Sequence, residues 1–213
     1  MLENLRIIGQ VNAEFIATSL VHEGNRYLVL LDQHAVDERI RLERLRLEFG
    51  NDKQLFKRES LNFPIKLTID MTEKHAKLVM SGLAGIHRDL QASGILCSIE
   101  RCAEGVTALI REAPLQMLRK IIKRDSYENY LTPVKDVVTK TVLNEANITD
   151  RLSGRTMLFS HVLATEACAR AIKFGHALDR QAMDNLLLGL AQCHLPFQCA
   201  HGRPTLQVVH YPN

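Results

Sequence analysis

The sequence predicts a mixed α/β protein of the α+β kind with two lobes, one built from both chain ends and the other inserted between them. Three observations carry this expectation. The first fifty residues pass from short β-rich runs to a helical period; the middle third has strands and a helix of its own; and candidate metal ligands recur near residue 34 and near residue 201, so one site forms only if the two ends meet. The expected division is 1–57 with 153–213 for the first lobe and 58–152 for the inserted one.

Ile7 to Val11, Phe15 to Val21 and Tyr27 to Leu31 are β-rich runs, and Glu23-Gly24-Asn25 suits a hairpin turn between the last two. From Asp32 the period changes: Val36, Ile40 and then Leu45 or Leu47 fall on helical spacing, ending at Gly50-Asn51. Leu61 to Ile69 reads as a strand. Thr72 is placed to cap one helix whose Val79, Leu83, Ile86 and Leu90 share a face and which stops at Gly94. Ile95 to Ile99 and Val106 to Ile110 return to strand character, and a further helix is expected after Pro133. Thr156 to Phe174 is alanine-rich and helical up to Gly175, Asp179 caps the helix carrying Leu186, Leu187 and Leu190, and Leu206 to Val209 is a short extended tail.

With 213 residues, 46% of them hydrophobic and 24% charged, the chain can bury a real core, which excludes disorder. A net charge of +3 is too small for a globally basic surface, so any nucleic-acid contact must be local. Two basic runs exist: Arg39, Arg41, Arg44, Arg46, Lys53, Lys57 and Arg58, then Arg119, Lys120, Lys123 and Arg124. As charge runs alone they read as solvated helix faces. Five cysteines, a start without a basic and apolar leader, and no apolar stretch of membrane-spanning length point to a reducing compartment and no membrane. Cysteines there serve in packing, metal binding or nucleophilic attack.

His34 and Glu38 are four apart, so a helix stacks them on one face, within reach of one cation. Glu43 is rotated well off that face and reads as structural or solvent-paired. Asp32, where strand passes to helix, is either a plain N-cap or a carboxylate aimed at the same site. Cys199 and His201 point the same way if their segment is extended, as zinc ligation needs, although a lone C-x-H is more often incidental. Cys168 among alanines reads by itself as a small buried hydrophobe, as do Cys193 and Cys97, and Cys102 has no telling neighbour. Taken together, two histidines, one or two carboxylates and two thiols make up the ligand inventory of a zinc or two-metal site.

The string D-Q-H-A-x-x-E-x-x-x-x-E, here Asp32 to Glu43, resembles the endonuclease signature of the MutL-homologue family. The A-C-x-x-A-I-K-F-G stretch from Ala167 to Gly175 and C-A-H-G-R-P from Cys199 to Pro204 resemble two downstream motifs of that family, in the same order. Within it, D-E-R-I-R-L-E after the histidine and L-P-F-Q-C-A-H are most similar to the catalytic subunit of the MutL-gamma heterodimer, with the sister subunit of MutL-alpha as the nearer alternative. The resemblance covers the two terminal segments; the middle third matches only in general character. It implies a nicking endonuclease of double-stranded DNA, in mismatch repair or meiotic recombination, with a dimerisation lobe and an inserted external, regulatory lobe. It further implies metal binding by His34, Glu38, Cys168, Cys199 and His201, with Asp32 and Glu38 as the carboxylates needed for cleavage. The implied cofactors are zinc and a looser Mn²⁺ or Mg²⁺, the implied partner is the non-catalytic MutL homologue in a heterodimer, and the implied location is the nucleus. The sliding-clamp motif of bacterial members meets Glu59-Ser60-Leu61-Asn62-Phe63-Pro64, which keeps the proline and lacks the glutamine. No Gly-rich ATP-binding signature is present, so a fragment without ATPase activity is expected. Two other readings stand beside this one: a zinc-stabilised dimerisation module without catalysis, and a zinc hydrolase of a small substrate, for which no substrate-binding signature is found.

Overall fold

The computed structural model describes residues 2–50, 57–122, 126–145 and 154–210, with the side chains of 154–157 and 210 excepted. It divides the chain into two compact units, Met1–Asn51 with Leu163–Asn213, and Asp52–Val162. Lys53, Lys123, Arg124, Asn51 and the expected boundary at 152/153 lie outside the described residues. The architecture is α+β, as expected, with an antiparallel sheet in each unit.

In the first unit, β1 (Arg6–Val11), β2 (Phe15–His22), β3 (Asn25–Asp32) and β7 (Leu206–His210) form a four-stranded sheet in the order β1-β2-β3-β7. The β2–β3 hairpin closes at His22 and Asn25 over Glu23 and Gly24, both at positive φ (51° and 78°), the pair of left-handed residues that a type I′ turn requires. The tail is not a free end: β7 pairs with β3 from Tyr27 to Leu31. One sheet face carries Ile16, Leu20, Val29 and Leu31 against Val36 and Ile40 of α1 (Gln33–Phe49) and Met183, Leu186 and Leu190 of α7 (Arg180–Ala191). Each such side chain contributes about 1.5–3 kcal/mol on burial.

Both caps read from sequence are present: Asp32 Oδ1 accepts the Ala35 N–H at 2.9 Å, and Asp179 Oδ1 accepts that of Ala182 at 2.7 Å. Leu45, not the exposed Leu47, continues the α1 core face. The solvated basic face expected on α1 is found at Arg44 and Arg46, both exposed, but not at Arg39, which is 5% exposed, and Arg41 is paired with the buried Asp37. The helix expected over Thr156 to Phe174 is also corrected. α6 runs Gly154–Arg170, because Asp37 accepts the Ile172 N–H at 2.9 Å and so takes the next helical donor away.

The second unit has β4 (Glu59–Asp70), β5 (Leu96–Cys102) and β6 (Gly105–Ala113) in the order β4-β6-β5. β6 is central, with Val106, Ala108 and Ile110 fully buried. The register of β4 shifts between Ser60 and Ile65, and Phe63 in that irregular stretch is exposed. The single helix expected from Thr72 to Gly94 is two, α2 (Glu73–Ser81) and α3 (Leu83–Ala92), interrupted at Gly82, where a Cβ would collide with the Glu145 side chain. Thr72 caps α2 as expected. α4 (Leu115–Ile121), which no signal marked in advance, buries Leu115, Met117, Leu118 and Ile121. The helix expected after Pro133 begins before it: α5 spans Tyr127–Glu145 with the proline inside, and its Leu131, Val134, Val138 and Val142 form a buried stripe. Among the described residues, no helix is long and apolar enough to cross a membrane.

Candidate metal centre

Three segments of the first unit meet at Glu38. The helical spacing of α1 sets His34 and Glu38 on one face, with His34 Nε2 3.3 Å from Glu38 Oε2. The last turn of α6 brings Cys168 Sγ to 3.6 Å from the same imidazole nitrogen. From the far end of the chain, His201 Nδ1 donates to Glu38 Oε1 at 2.8 Å. His34, Glu38 and Cys168 form one group and Glu38, Cys199 and His201 a second, the ligand atoms within each lying within 4.8 Å of one another. Glu38 belongs to both. Asp32 belongs to neither, its Oδ1 being engaged as the N-cap of α1.

Cys199 and His201 converge by a route the extended-strand argument does not describe. Their segment is a tight turn: Cys199 N–H donates to the Arg203 carbonyl, Gly202 N–H to the Cys199 carbonyl, and Gly202 has φ +82°. Gln198 and Pro204 are bridged across it. The turn also lets the His201 N–H donate to Cys199 Sγ at 3.3 Å. Gly and Pro after the histidine thus shape the turn, as their types imply.

The donor chemistry fits a cation. Glu38 is 1% exposed, and the nitrogens within 4 Å of its carboxylate among the described residues are those of the His34 and His201 imidazoles rather than of a lysine or arginine. Burial alone would raise its carboxyl, but hydrogen bonds from Cys199 and His201 hold it below the usual carboxylate range. Burial and the Glu38 carboxylate push the Cys168 thiol up; at Cys199 burial does most of this. A buried carboxylate with two soft sulfur and two imidazole donors matches zinc, and the carboxylate side suits a harder ion. Cys97, Cys102 and Cys193 belong to neither group.

Sequence reasoning missed the residues that hold these donors. Arg39 donates from Nη2 to the Cys199 carbonyl at 3.0 Å and from Nε to that of Gln198. Glu43 is the exception: read as structural or solvent-paired, it is structural, accepting the N–H groups of His194 and Leu195 at 2.7 and 3.0 Å. Gln33 is fully buried, and its Nε2 donates to the carbonyls of Ala13 and Lys173 while its Oε1 accepts from Gln10. The only advance signal was adjacency to His34 and Glu38 on one helix; the bonds run to backbone groups of remote segments, which leave no mark in side-chain types.

Residues 8–124 match the family model described as the MutL C-terminal dimerisation domain. The chain is similar to human DNA mismatch repair protein Mlh3, at 30% identity over 97% of this chain and 15% of the human protein. It is similar to DNA mismatch repair protein MutL of Streptococcus mutans, at 30% identity over 95% of this chain and 27% of that protein. The MutL of Streptococcus pyogenes serotype M5 is 28% identical over 89% of this chain and 25% of its own length. The chain therefore spans between about a seventh and about a quarter of the length of these relatives.

Proposed function

Because this chain belongs to the MutL family, to which its match with the C-terminal dimerisation domain assigns it, we propose that it is a metal-dependent endonuclease module that nicks double-stranded DNA while paired with a second MutL homologue. One observation carries the reading: donors from three remote segments gather around the single buried carboxylate of Glu38. Purely structural packing does not need a carboxylate there.

In this reading His34, Glu38, Cys168, Cys199 and His201 hold metal, the thiols and imidazoles favouring zinc and the carboxylate favouring Mn²⁺ or Mg²⁺. Bound metal would supply an activated water and offset charge developing on the phosphate. Glu38 is shared by both donor groups and keeps them in one field. Asp32 anchors the helix start through Oδ1 and is the second carboxylate assigned to cleavage. Lys173 and Arg203 are exposed and near enough to Cys168 to offset part of the rise in its thiol, so cationic groups border the centre where a DNA phosphate would approach. The pairing surface we assign to the first sheet. Leu28, Leu30 and Val209 lie on the side away from Val29 and Leu31, and Val21 and Ile8 are more than half exposed.

The test uses Glu38→Gln and Asp32→Asn in the purified heterodimer. Both keep shape, and asparagine still caps a helix, so folding and pairing should persist. Mn²⁺-dependent nicking of supercoiled DNA should be lost, and normal nicking by both variants would overturn the assignment. The second reading, a zinc-stabilised dimerisation module, is favoured by the burial of Cys199 and Glu38. It predicts that a chelator separates or unfolds the pair and that wild type never nicks.

A further inference from the structure

Asp37 immediately precedes Glu38 on α1 but takes no part in either donor group. Its side chain is 8% exposed, and its Oδ2 accepts two donors: the Nε of Arg41 at 2.8 Å and the Ile172 N–H at 2.9 Å. Ile172 lies just past the end of α6. In a continuing helix its N–H would meet the Cys168 carbonyl, which instead accepts from Ala171 N–H and from Lys173 Nζ at 2.6 Å. The Ile172 carbonyl in turn accepts from His34 Nδ1 at 2.8 Å. Ile172 is therefore gripped at both backbone groups, by two residues of α1 that stand three apart.

A neutral imidazole that donates from Nδ1 keeps its lone pair on Nε2. Nε2 is the nitrogen facing Glu38 and Cys168. We propose that Asp37 is a positioning residue of the centre: by fixing the Ile172 backbone it selects the Nδ1–H tautomer of His34 and aims the Nε2 lone pair at the Glu38–Cys168 group. Its consequence for metal affinity rests on the metal reading above; its consequence for the tautomer does not. Outer-shell groups of this kind typically change metal affinity by roughly ten- to a hundredfold when removed.

The experiment compares the 213-residue wild-type chain with Asp37→Ala, the gentler Asp37→Ser, and Asp37→Asn, which keeps an acceptor oxygen. The His34 tautomer is read in metal-free protein by long-range ¹H–¹⁵N correlation, assigned with a His34→Asn control, and Co²⁺ affinity is read from thiolate charge-transfer absorption. Wild type and Asp37→Asn should show the single Nδ1–H form and similar Co²⁺ affinity. Asp37→Ala and Asp37→Ser should show mixed tautomers and Co²⁺ binding weaker by roughly ten- to a hundredfold. A role confined to stability would lower the melting temperature and leave the tautomer single, and that result in either truncation overturns the proposal. Wild type that binds no Co²⁺ sinks the metal reading instead, while the tautomer comparison still decides the role of Asp37.

Discussion

The guanidinium of Arg39 reaches from α1 to the Cys199 carbonyl at 3.0 Å, so the helix that carries His34 and Glu38 also holds the backbone of the turn that carries Cys199 and His201. Its Nε occupies the Gln198 carbonyl, and Nη1 faces Glu43 at 3.8 Å. Arg39→Ala should destabilise the first unit by about 2–3 kcal/mol in urea unfolding, since the carbonyl of the buried Cys199 and that of Gln198 lose a charged donor. Arg39→Lys should restore only part of this, because an ammonium lacks the planar fork that serves both carbonyls. Full recovery by lysine would refute the forked grip.

Zinc should stabilise the wild-type chain by mass action. At a free concentration about a thousandfold above Kd the expected gain is roughly 4 kcal/mol. Calorimetry should show the melting temperature rising with zinc and falling again with a chelator. Cys168→Ser with Cys199→Ser should abolish the rise; an unchanged rise in that double variant would place zinc elsewhere.

Gly105 sits at φ +150°, where a Cβ would strike the Ile69 carbonyl and come within 2.8 Å of the Met71 nitrogen. Backbone cannot move aside as a side-chain tip can. Gly105→Ala should therefore cost the second unit at least about 2 kcal/mol, read as a lowered denaturation midpoint with an unchanged slope. Wild-type stability in this variant would mean that the β5–β6 turn is misdescribed.

Burial pushes the Cys97 thiol up to about 11 from an ordinary 9.0. The folded state thus holds the proton that the unfolded chain releases first, so this contribution is intact below pH 9 and is lost as pH rises toward 11. Over that window wild type should lose roughly 2–3 kcal/mol that Cys97→Ala does not lose. Parallel alkaline denaturation curves for the two proteins would contradict it.

The parts legible in the sequence are those fixed by neighbours along the chain. Asp32 and Asp179 announce helix starts, Glu23-Gly24 announces a hairpin, and the His34 to Glu38 spacing announces a shared face. What stayed hidden depends on remote packing. Pro133 marks no helix start, because the apolar stripe of α5 extends the helix past it in both directions. The break at Gly82 lies where a Cβ would meet the side chain of the remote Glu145, and α6 stops early because Asp37 takes the Ile172 N–H. At the candidate site the donor types were visible, while Arg39, Gln33 and Asp37, which aim them, act through backbone groups that any residue could supply.

The pairing of β7 with β3 also has a bearing on how the protein is made. A ribosome adding about 5–20 residues per second delivers His34 and Glu38 several seconds before the cysteine and histidine at 199 and 201. The nascent chain must then carry that carboxylate without its later neighbours until residues 199–210 have been made. A chain cut a few positions before Leu206 would keep every donor and lose the strand beside the last two, so it should lose the zinc-dependent rise in melting temperature.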